Sequence, residues 1–560
     1  VTPQQEAAAE LFDNRMQEAT GYTLEQYERV RAVGPTSLAH VQLYGRLVDE
    51  SGAVEAIEKW AAEDRKSNAG RKPHIPFRAL LILHLMHTDA GSNRYHDVAK
   101  TLFARLTPET FTYLGITVTD GTQQEWYIRY WRSLNRLLAL TSPWDVPRNT
   151  FLSAEAYRRA LDTYNQERRD RMDELMNRLL HASVRRLPAA IRETYRGNIA
   201  LDATLIPITG RPNPRVTNLD RERFNLDAMS GPYTRDGNHQ GKGKRKDEAG
   251  WEAETVVTVP NAPGQSDSFP VLTTGITLHV PGKIKHAPLI VVKFHAQLFD
   301  ERGYLMVDRA YNGLKPHRFQ NPTRMMGFRN LYNFKYQKKA TSGKQGAIED
   351  AILVDGCLYV KWMPEALINA SIDFKARRID EDTYNARLAA RTPYRLKEHG
   401  RPDHEGRQRF TYPDVSKLMC LDPATGKPVK PRLTSGSITL HPDSRESMTI
   451  IKNLQAHEFR SKKWTEWYHL RSHVEGNNRY VKDDAHANLG AADKRRPRGY
   501  AFQALAVGAA VAVSNMRRIV TFLTDAAKQV LTTKQLRARR RRDEHGNRLE
   551  HPSTATQLQM

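Results

Sequence analysis

Cysteine is almost missing from this chain: Cys357 and Cys420 are the two in 560 residues. Two thiols exclude a disulfide framework and a four-cysteine zinc site, and they suit a reducing compartment. Long apolar runs are missing as well. The longest, AFQALAVGAAVAV from Ala501 to Val513, is interrupted by Gln503. A bilayer needs about 20 apolar residues, so this run reads as a buried helix and no membrane is expected. The first twenty residues are polar and acidic and show no signal-peptide pattern. No Gly-x4-Gly-Lys-Ser/Thr loop occurs, so no nucleotide cofactor is indicated. Acid is in deficit: 63 Asp and Glu stand against 86 Lys and Arg, a net charge of +23. That excess, with a pI near 9.8, points to a polyanion partner, most simply nucleic acid.

The pattern along the chain divides it. Residues 1–145 read as a helical domain. Within it RKPHIPFRALLILHLMHTDAGSNRYHDVAKTLFARL gives two helices broken near Ala90–Asn93, with Pro76 near the start of the first. TQQEWYIRYWRSLNRLLAL gives another. Residues 146–195 continue as a helical connector. Texture changes in 196–335, where GNIALDATLIPI, AETVVTV, FPVLTTGITLHV and GYLMVDRAY are short β-branched runs between turns. HAPLIVVKFHAQLF among them is helix-like, and RDGNHQGKGKRKDEAG reads as a polar loop. Residues 336–455 look like a β-containing, turn-rich insertion, with AILVDGCLYV a hairpin about Asp355-Gly356. Helices return over 456–530, from about Thr465. The remainder, 531–560, is a basic run, KQLRARRRR, and a polar tail expected to be disordered. The class expected is α/β: a mixed sheet with flanking helices, interrupted by the insertion and preceded by the helical domain.

Chemistry concentrates in YHLRSHVEGNNRYVK, residues 468–482. At 100° per residue, Tyr468, Arg471, Glu475, Arg479 and Lys482 fall on one helix face. Trp467, Leu470, Val474 and Val481 form an apolar stripe beside it. Alone, Arg471 and Glu475 are an ordinary i,i+4 pair worth ~0.5 kcal/mol. Two further acids alter that reading. Asp202 and Asp308 each end an apolar strand, in LDAT and VDRAYNG. Singly, each reads as a turn or cap residue. Together, acids at one rim of a sheet can be joined by an acid on a packed helix. Three carboxylates can hold two divalent cations about 3.5–4 Å apart, and oxygen-only ligation suits Mg²⁺. His84 and His87 lack a third ligand and read as core or surface residues. The His-x2-Arg element of tyrosine recombinases occurs three times and so discriminates nothing.

Tyr468-x2-Arg471-x3-Glu475-x6-Lys482 resembles the YREK signature of a group of bacterial insertion-sequence transposases. LDAT and VDRAYNG resemble the first and second acid motifs of these DDE enzymes, and the resemblance covers most of Arg71–Arg518. It implies a ribonuclease-H-like catalytic fold and two Mg²⁺ ions, with Mn²⁺ able to substitute. It implies Asp202, Asp308 and Glu475 as metal ligands, and Tyr468, Arg471 and Lys482 as contacts to transposon-end DNA. Arg479 joins them on helical phase alone. The partners implied are double-stranded DNA, through terminal inverted repeats and a target, and a second copy of the chain pairing two ends. The location implied is the bacterial cytoplasm, at the nucleoid. Many relatives have Asp-Asp or Asp-Ser-Thr at the first acid; here it is Asp202-Ala203-Thr204, without the second polar group. A DNA-binding derivative that no longer cuts, and a structure-specific nuclease of the same fold, are the alternatives.

Two expectations concern the ends of the chain. Residues 1–145, with Arg71, Lys72, Arg78 and Arg94, would recognise the transposon end or serve dimerisation. The run Lys534–Arg542 would track phosphates without reading bases. Deleting 534–560 should therefore flatten the salt dependence of DNA binding and leave sequence preference unchanged, as read from binding isotherms over a salt series.

Overall fold

The computed structural model describes residues 2–33, 37–65, 73–147, 150–210, 224, 227–235, 246–334 and 343–532. Arg71, Lys72, residues 236–245 of the polar loop and the basic tail lie outside the described residues. The class is mixed α/β. Six strands form the central sheet: β1 (Ile199–Pro207), β2 (Gly231–Arg235), β3 (Lys246–Thr258), β4 (Thr273–His279), β5 (Tyr304–Val307) and β6 (Arg329–Tyr332). Their order is β2-β3-β1-β5-β6, with β4 also on β3. β3 runs antiparallel to β1, β2 and β4, whereas β1, β5 and β6 run parallel. A parallel step needs a crossover, and the helix Ala287–Leu298 provides it between β4 and β5. Gly275 permits its close approach, since a Cβ there would lie 2.3 Å from the Val291 carbonyl oxygen.

β3 begins earlier than the sequence suggests. Lys246–Gly250, read as part of a polar loop, pairs with β2. The ladder that fixes this stretch comes from a distant partner, which local polarity does not report.

β4 is buried along its whole length. Its backbone is satisfied by two asparagines from helices that cover it. The Asn177 amide accepts from Ile276 N at 3.0 Å and donates to Ile276 O at 2.8 Å. Asn515 does the same for Thr273, at 2.9 and 2.8 Å. Unpaired strand groups cost free energy when dry, so these side chains close the sheet edge.

Asn515 belongs to Tyr500–Lys528, a 29-residue helix. It alone among the described residues is long and apolar enough to cross a membrane, and 83% of its apolar window is buried inside the fold. The expected buried helix is there, but it extends well beyond Val513. The N-terminal helices, including Phe77–Asp89, Tyr95–Ala104 and Gln123–Thr141, pack into one core with it. Arg517 on the long helix forms a buried ion pair with Asp89, which Arg31 and His40 also reach at 3.3 Å. His84 and His87 lie in this core, where burial lowers them to about 3 and about 4. Removing one partner of a buried pair costs about 3–5 kcal/mol. A chain lacking 1–145 is therefore expected to expose the long helix and lose cooperative unfolding, as thermal melting would show.

The inserted region leaves after β6 and returns beside it. Ala456 N donates to Asn330 O at 3.1 Å, and Gln455 Oε1 accepts from Tyr332 N at 3.1 Å. It holds two three-stranded sheets. One comprises β7 (Lys344–Ile348), β8 (Ala351–Val354) and β9 (Cys357–Val360); the other β10 (Lys397–His399), β11 (Gln408–Thr411) and β12 (Ser437–Leu440). Helices such as Glu381–Ala390 and Arg445–Asn453 accompany them. The hairpin at Asp355-Gly356 is present, with φ of 47° and 85°, as a primed turn requires. Asp355 does more than turn the chain: it is fully buried and paired with Arg391 at 2.8 Å.

Candidate active site

The parallel register sets the first two acids side by side. Leu201 on β1 is opposite Val307 on β5. Asp202 and Asp308 are the next residues on these adjacent strands, which lie about 4.8 Å apart. Asp308 follows β5 directly, as expected, and its carboxylate caps the short helix Arg309–Asn312 by accepting from Ala310 N at 2.7 Å. Asp202 is not at a strand end. β1 continues to Pro207 because β3 pairs along its whole length, from Ile199↔Thr258 to Pro207↔Gly250.

The third acid comes from across the sheet. Residues 462–482 are not one uniform helix. Lys462–Tyr468 and Ser472–Lys482 are joined by a 3₁₀ turn over His469–Arg471. That turn advances about 120° per residue, so the single-helix phase is inexact for Tyr468. The apolar stripe holds nonetheless. Leu470, Val474 and Val481 are buried, and the Trp467 ring lies 4.1 Å from that of Tyr304. Two asparagines that the sequence did not single out fix this helix. The Asn477 amide donates to Thr273 Oγ1 at 3.0 Å. Asn478 Oδ1 lies 3.1 Å from Thr255 Oγ1, and that hydroxyl is 3.1 Å from the Asp202 carbonyl oxygen.

All seven singled-out residues line one cleft of about 1160 Å³: Asp202, Asp308, Tyr468, Arg471, Glu475, Arg479 and Lys482. Arg471 is the cation among the acids. It pairs with Glu475, the ordinary i,i+4 contact, and its guanidinium sits 5.9 Å from the centre of the Tyr468 ring. Burial pushes the Asp202 carboxyl up to about 7; Arg471 opposes this, and Asp308, Glu254 and Glu475 add to it. Burial also pushes the Tyr468 hydroxyl up to about 12.

Glu254 was not foreseen. It is fully buried on β3 and accepts from the Tyr311 hydroxyl, with His279 Nε2 3.4 Å away. A signal existed in WEAETVV, where acids alternate with apolar residues inside a strand, against the usual preference. Tyr311 sits on the turn that Asp308 caps, so the Glu254–Tyr311 bond holds that turn to β3.

Could these residues hold divalent cations? The donors are all oxygens, which suits a hard cation, and the carboxylates crowd one another with a single arginine between them. Extra positive charge would offset the burial that raises Asp202 and the repulsion that adds to it. The donor chemistry therefore fits. Among the described residues no three acids or histidines stand in a closed ligand cluster, and Glu475 is engaged by Arg471.

Burial of Asp202 among these acids has a measurable consequence. Asp202 has a higher pKa folded than unfolded, so between 3.8 and about 7 the folded chain keeps a proton that the unfolded chain releases. Stability then falls as pH rises through that window. Asp202→Asn removes the penalty. In EDTA at pH 8 it should stabilise the protein by up to about 4 kcal/mol, and the gain should shrink towards pH 4. Thermal unfolding at both pH values checks this; no gain at pH 8 would count against the crowded site. No family model, curated protein or solved structure matches the chain.

Proposed function

We propose that the protein is a DDE transposase of a bacterial insertion sequence. On this reading it binds the terminal inverted repeats, cleaves DNA at the transposon ends and joins the 3′-hydroxyl ends to target DNA. One observation carries the reading: a single cleft gathers Asp202 from β1, Asp308 from the end of β5 and Glu475 from a packed helix, with Tyr468 from the helix before it, Arg471 from the 3₁₀ turn between the two and Lys482 from the Glu475 helix itself. A ribonuclease-H-like fold for the catalytic part is supported by the strand order. Three antiparallel strands, β4-β3-β1, continue into two parallel ones, β5-β6. The inserted region would then interrupt that fold between β6 and the Glu475 helix.

Asp202, Asp308 and Glu475 are the residues that would hold two Mg²⁺ ions, or Mn²⁺ in their place. Bound there, the ions would acidify the attacking hydroxyl and stabilise the leaving oxygen. The chain's own contribution is position and charge. β1 and β5 fix two carboxylates on a rigid sheet, and Asn477 and Asn478 fix the third against it. Arg471 and Arg479 face a strand crossing the acids. Lys482 is seven residues beyond Glu475, about 10 Å along the helix, and would meet phosphates further on. Water attacking the end phosphodiester, and then the freed 3′-hydroxyl attacking target DNA, are both in-line displacements, so one site serves both. A second copy of the chain would pair the two ends.

The test uses full-length protein, Mg²⁺ and duplexes carrying the sequences that flank its gene. Cut ends joined to target DNA are the expected products. Cutting without joining would make the protein a nuclease, and specific binding without cutting would make it a DNA-binding derivative.

A further inference from the structure

A second pocket, of about 530 Å³, opens where the start of helix Tyr95–Ala104 meets helix Gln123–Thr141 and the segment leading into Tyr500–Lys528. Its walls combine two chemistries. Arg94, Arg496 and Arg498 bring three guanidinium groups. Trp131, Tyr127 and His96 bring three flat rings. Trp131 is 41% exposed, the one exposed tryptophan of the eight. It lies one helical turn from Tyr127, on the same face. The Tyr127 and His96 rings are 5.1 Å apart. One carboxylate, Asp97, is present, held by Ser92 and by Arg94 at 3.0 Å. Three cations against one anion leave the pocket positive. Arg496 is exposed and makes no hydrogen bond or ion pair with a described residue.

The pocket is tied to the cleft through one stretch of chain. Lys482, Asp483 and Gly490 line the cleft, and Arg496, Pro497 and Arg498 line the pocket. The stretch between them is pinned at several points. Arg495 donates to Pro207 O at 3.2 Å, Arg498 donates to Thr209 O, and Asn93 N donates to Lys494 O at 2.9 Å. Pro207 itself lines the cleft. Residues 490–496 of the chain thus join the rim of the cleft to the wall of the pocket.

We propose that this pocket takes an unstacked nucleotide of a DNA strand, with the base against Trp131 and Tyr127 and its phosphate on Arg496 and Arg498. Rings bind bases of any sequence by stacking, and guanidinium groups bind the adjoining phosphates and can stack as well. A volume within the usual range for small-molecule pockets admits a nucleotide and excludes a duplex. The inference rests on the reading that the protein handles DNA, not on its cutting it.

The test is run in EDTA with full-length protein. One probe is a blunt duplex. The other is the same duplex with a three-nucleotide single-stranded extension carrying 2-aminopurine. The extended DNA should bind at least about fivefold tighter, the lower end for one stacked base, and its 2-aminopurine fluorescence should be quenched. Trp131→Ala should abolish both effects and leave blunt-duplex binding unchanged, while Trp131→Phe should restore the quenching. Arg496→Gln, at an exposed position, should reduce the advantage and serves if the Trp131→Ala chain does not fold. Equal binding of the two DNAs by the parent protein would overturn the proposal, as would an advantage undiminished in both variants. Cutting is scored separately with Mg²⁺. Preference without cutting would leave the pocket standing and remove the transposase reading; cutting without preference would do the reverse.

Discussion

Asp308→Asn is expected, on the transposase reading, to lower Mg²⁺-dependent cleavage of transposon-end DNA by at least about a thousandfold while end-binding in EDTA stays within about twofold. The size follows from what the carboxylate is asked to do: ligation of this kind supplies several kcal/mol of transition-state stabilisation, and each 1.36 kcal/mol is a factor of ten. Asp308 gives the cleanest test of the three acids. Its structural task is to cap Arg309–Asn312 by accepting from Ala310 N. Asparagine caps as well as aspartate, so the fold should be kept and only the charge lost. Asp202→Asn should abolish cleavage too, with the stability gain already described, and Glu475→Gln likewise. Cleavage gels run beside binding isotherms give both numbers from one preparation. A fully active Asp308→Asn protein would remove that residue from the site.

The acids were legible in the sequence because each sits in a short pattern with a local cause. LDAT and VDRAYNG end or interrupt apolar runs, and the 468–482 stretch shows its two stripes at helical spacing. What joined them was not legible. The parallel pairing of Leu201 with Val307, across about a hundred residues of chain, is a tertiary fact. The same holds for Asp202 lying inside β1, since only the β3 partner extends the strand. The asparagines were invisible for another reason. Asn177, Asn477, Asn478 and Asn515 act through backbone and side-chain groups from other elements, and in sequence they look like the solvent-facing polar residues of amphipathic helices. In the helical N-terminal region the run of helices Phe77–Asp89, Tyr95–Ala104 and Gln123–Thr141 was legible. Its common core with Tyr500–Lys528 was not, because the apolar faces that meet there are some 400 residues apart.

Arg471→Gln separates a working arginine from a decorative one. If Arg471 serves only to pair with Glu475, its loss should cost at most ~0.5 kcal/mol, with or without metal, and leave DNA chemistry alone. The structure places it differently. It pairs with Glu475, lies against Tyr468, and is the cation that opposes the rise of Asp202. Removing it leaves the acids with less positive charge between them. In EDTA at pH 8 the variant should therefore melt below the parent, and Mg²⁺ should narrow that gap, because an ion bound among the acids replaces the missing charge and stabilises the folded state by mass action. With Mg²⁺ present, cleavage should still fall on the order of a hundredfold, as for one lost preorganised donor at a reacting phosphate. Lys482→Gln is the companion. Lys482 lies about 10 Å along the helix beyond Glu475, so its loss should disturb the acids less and give a smaller Mg²⁺-dependent melting gap than Arg471→Gln. It should also reduce the slope of log affinity against log salt by up to ~1. If Arg471→Gln melts, binds and cuts like the parent, and Lys482→Gln keeps its salt slope, the two cations belong to a solvated helix face and the phosphate-positioning role falls.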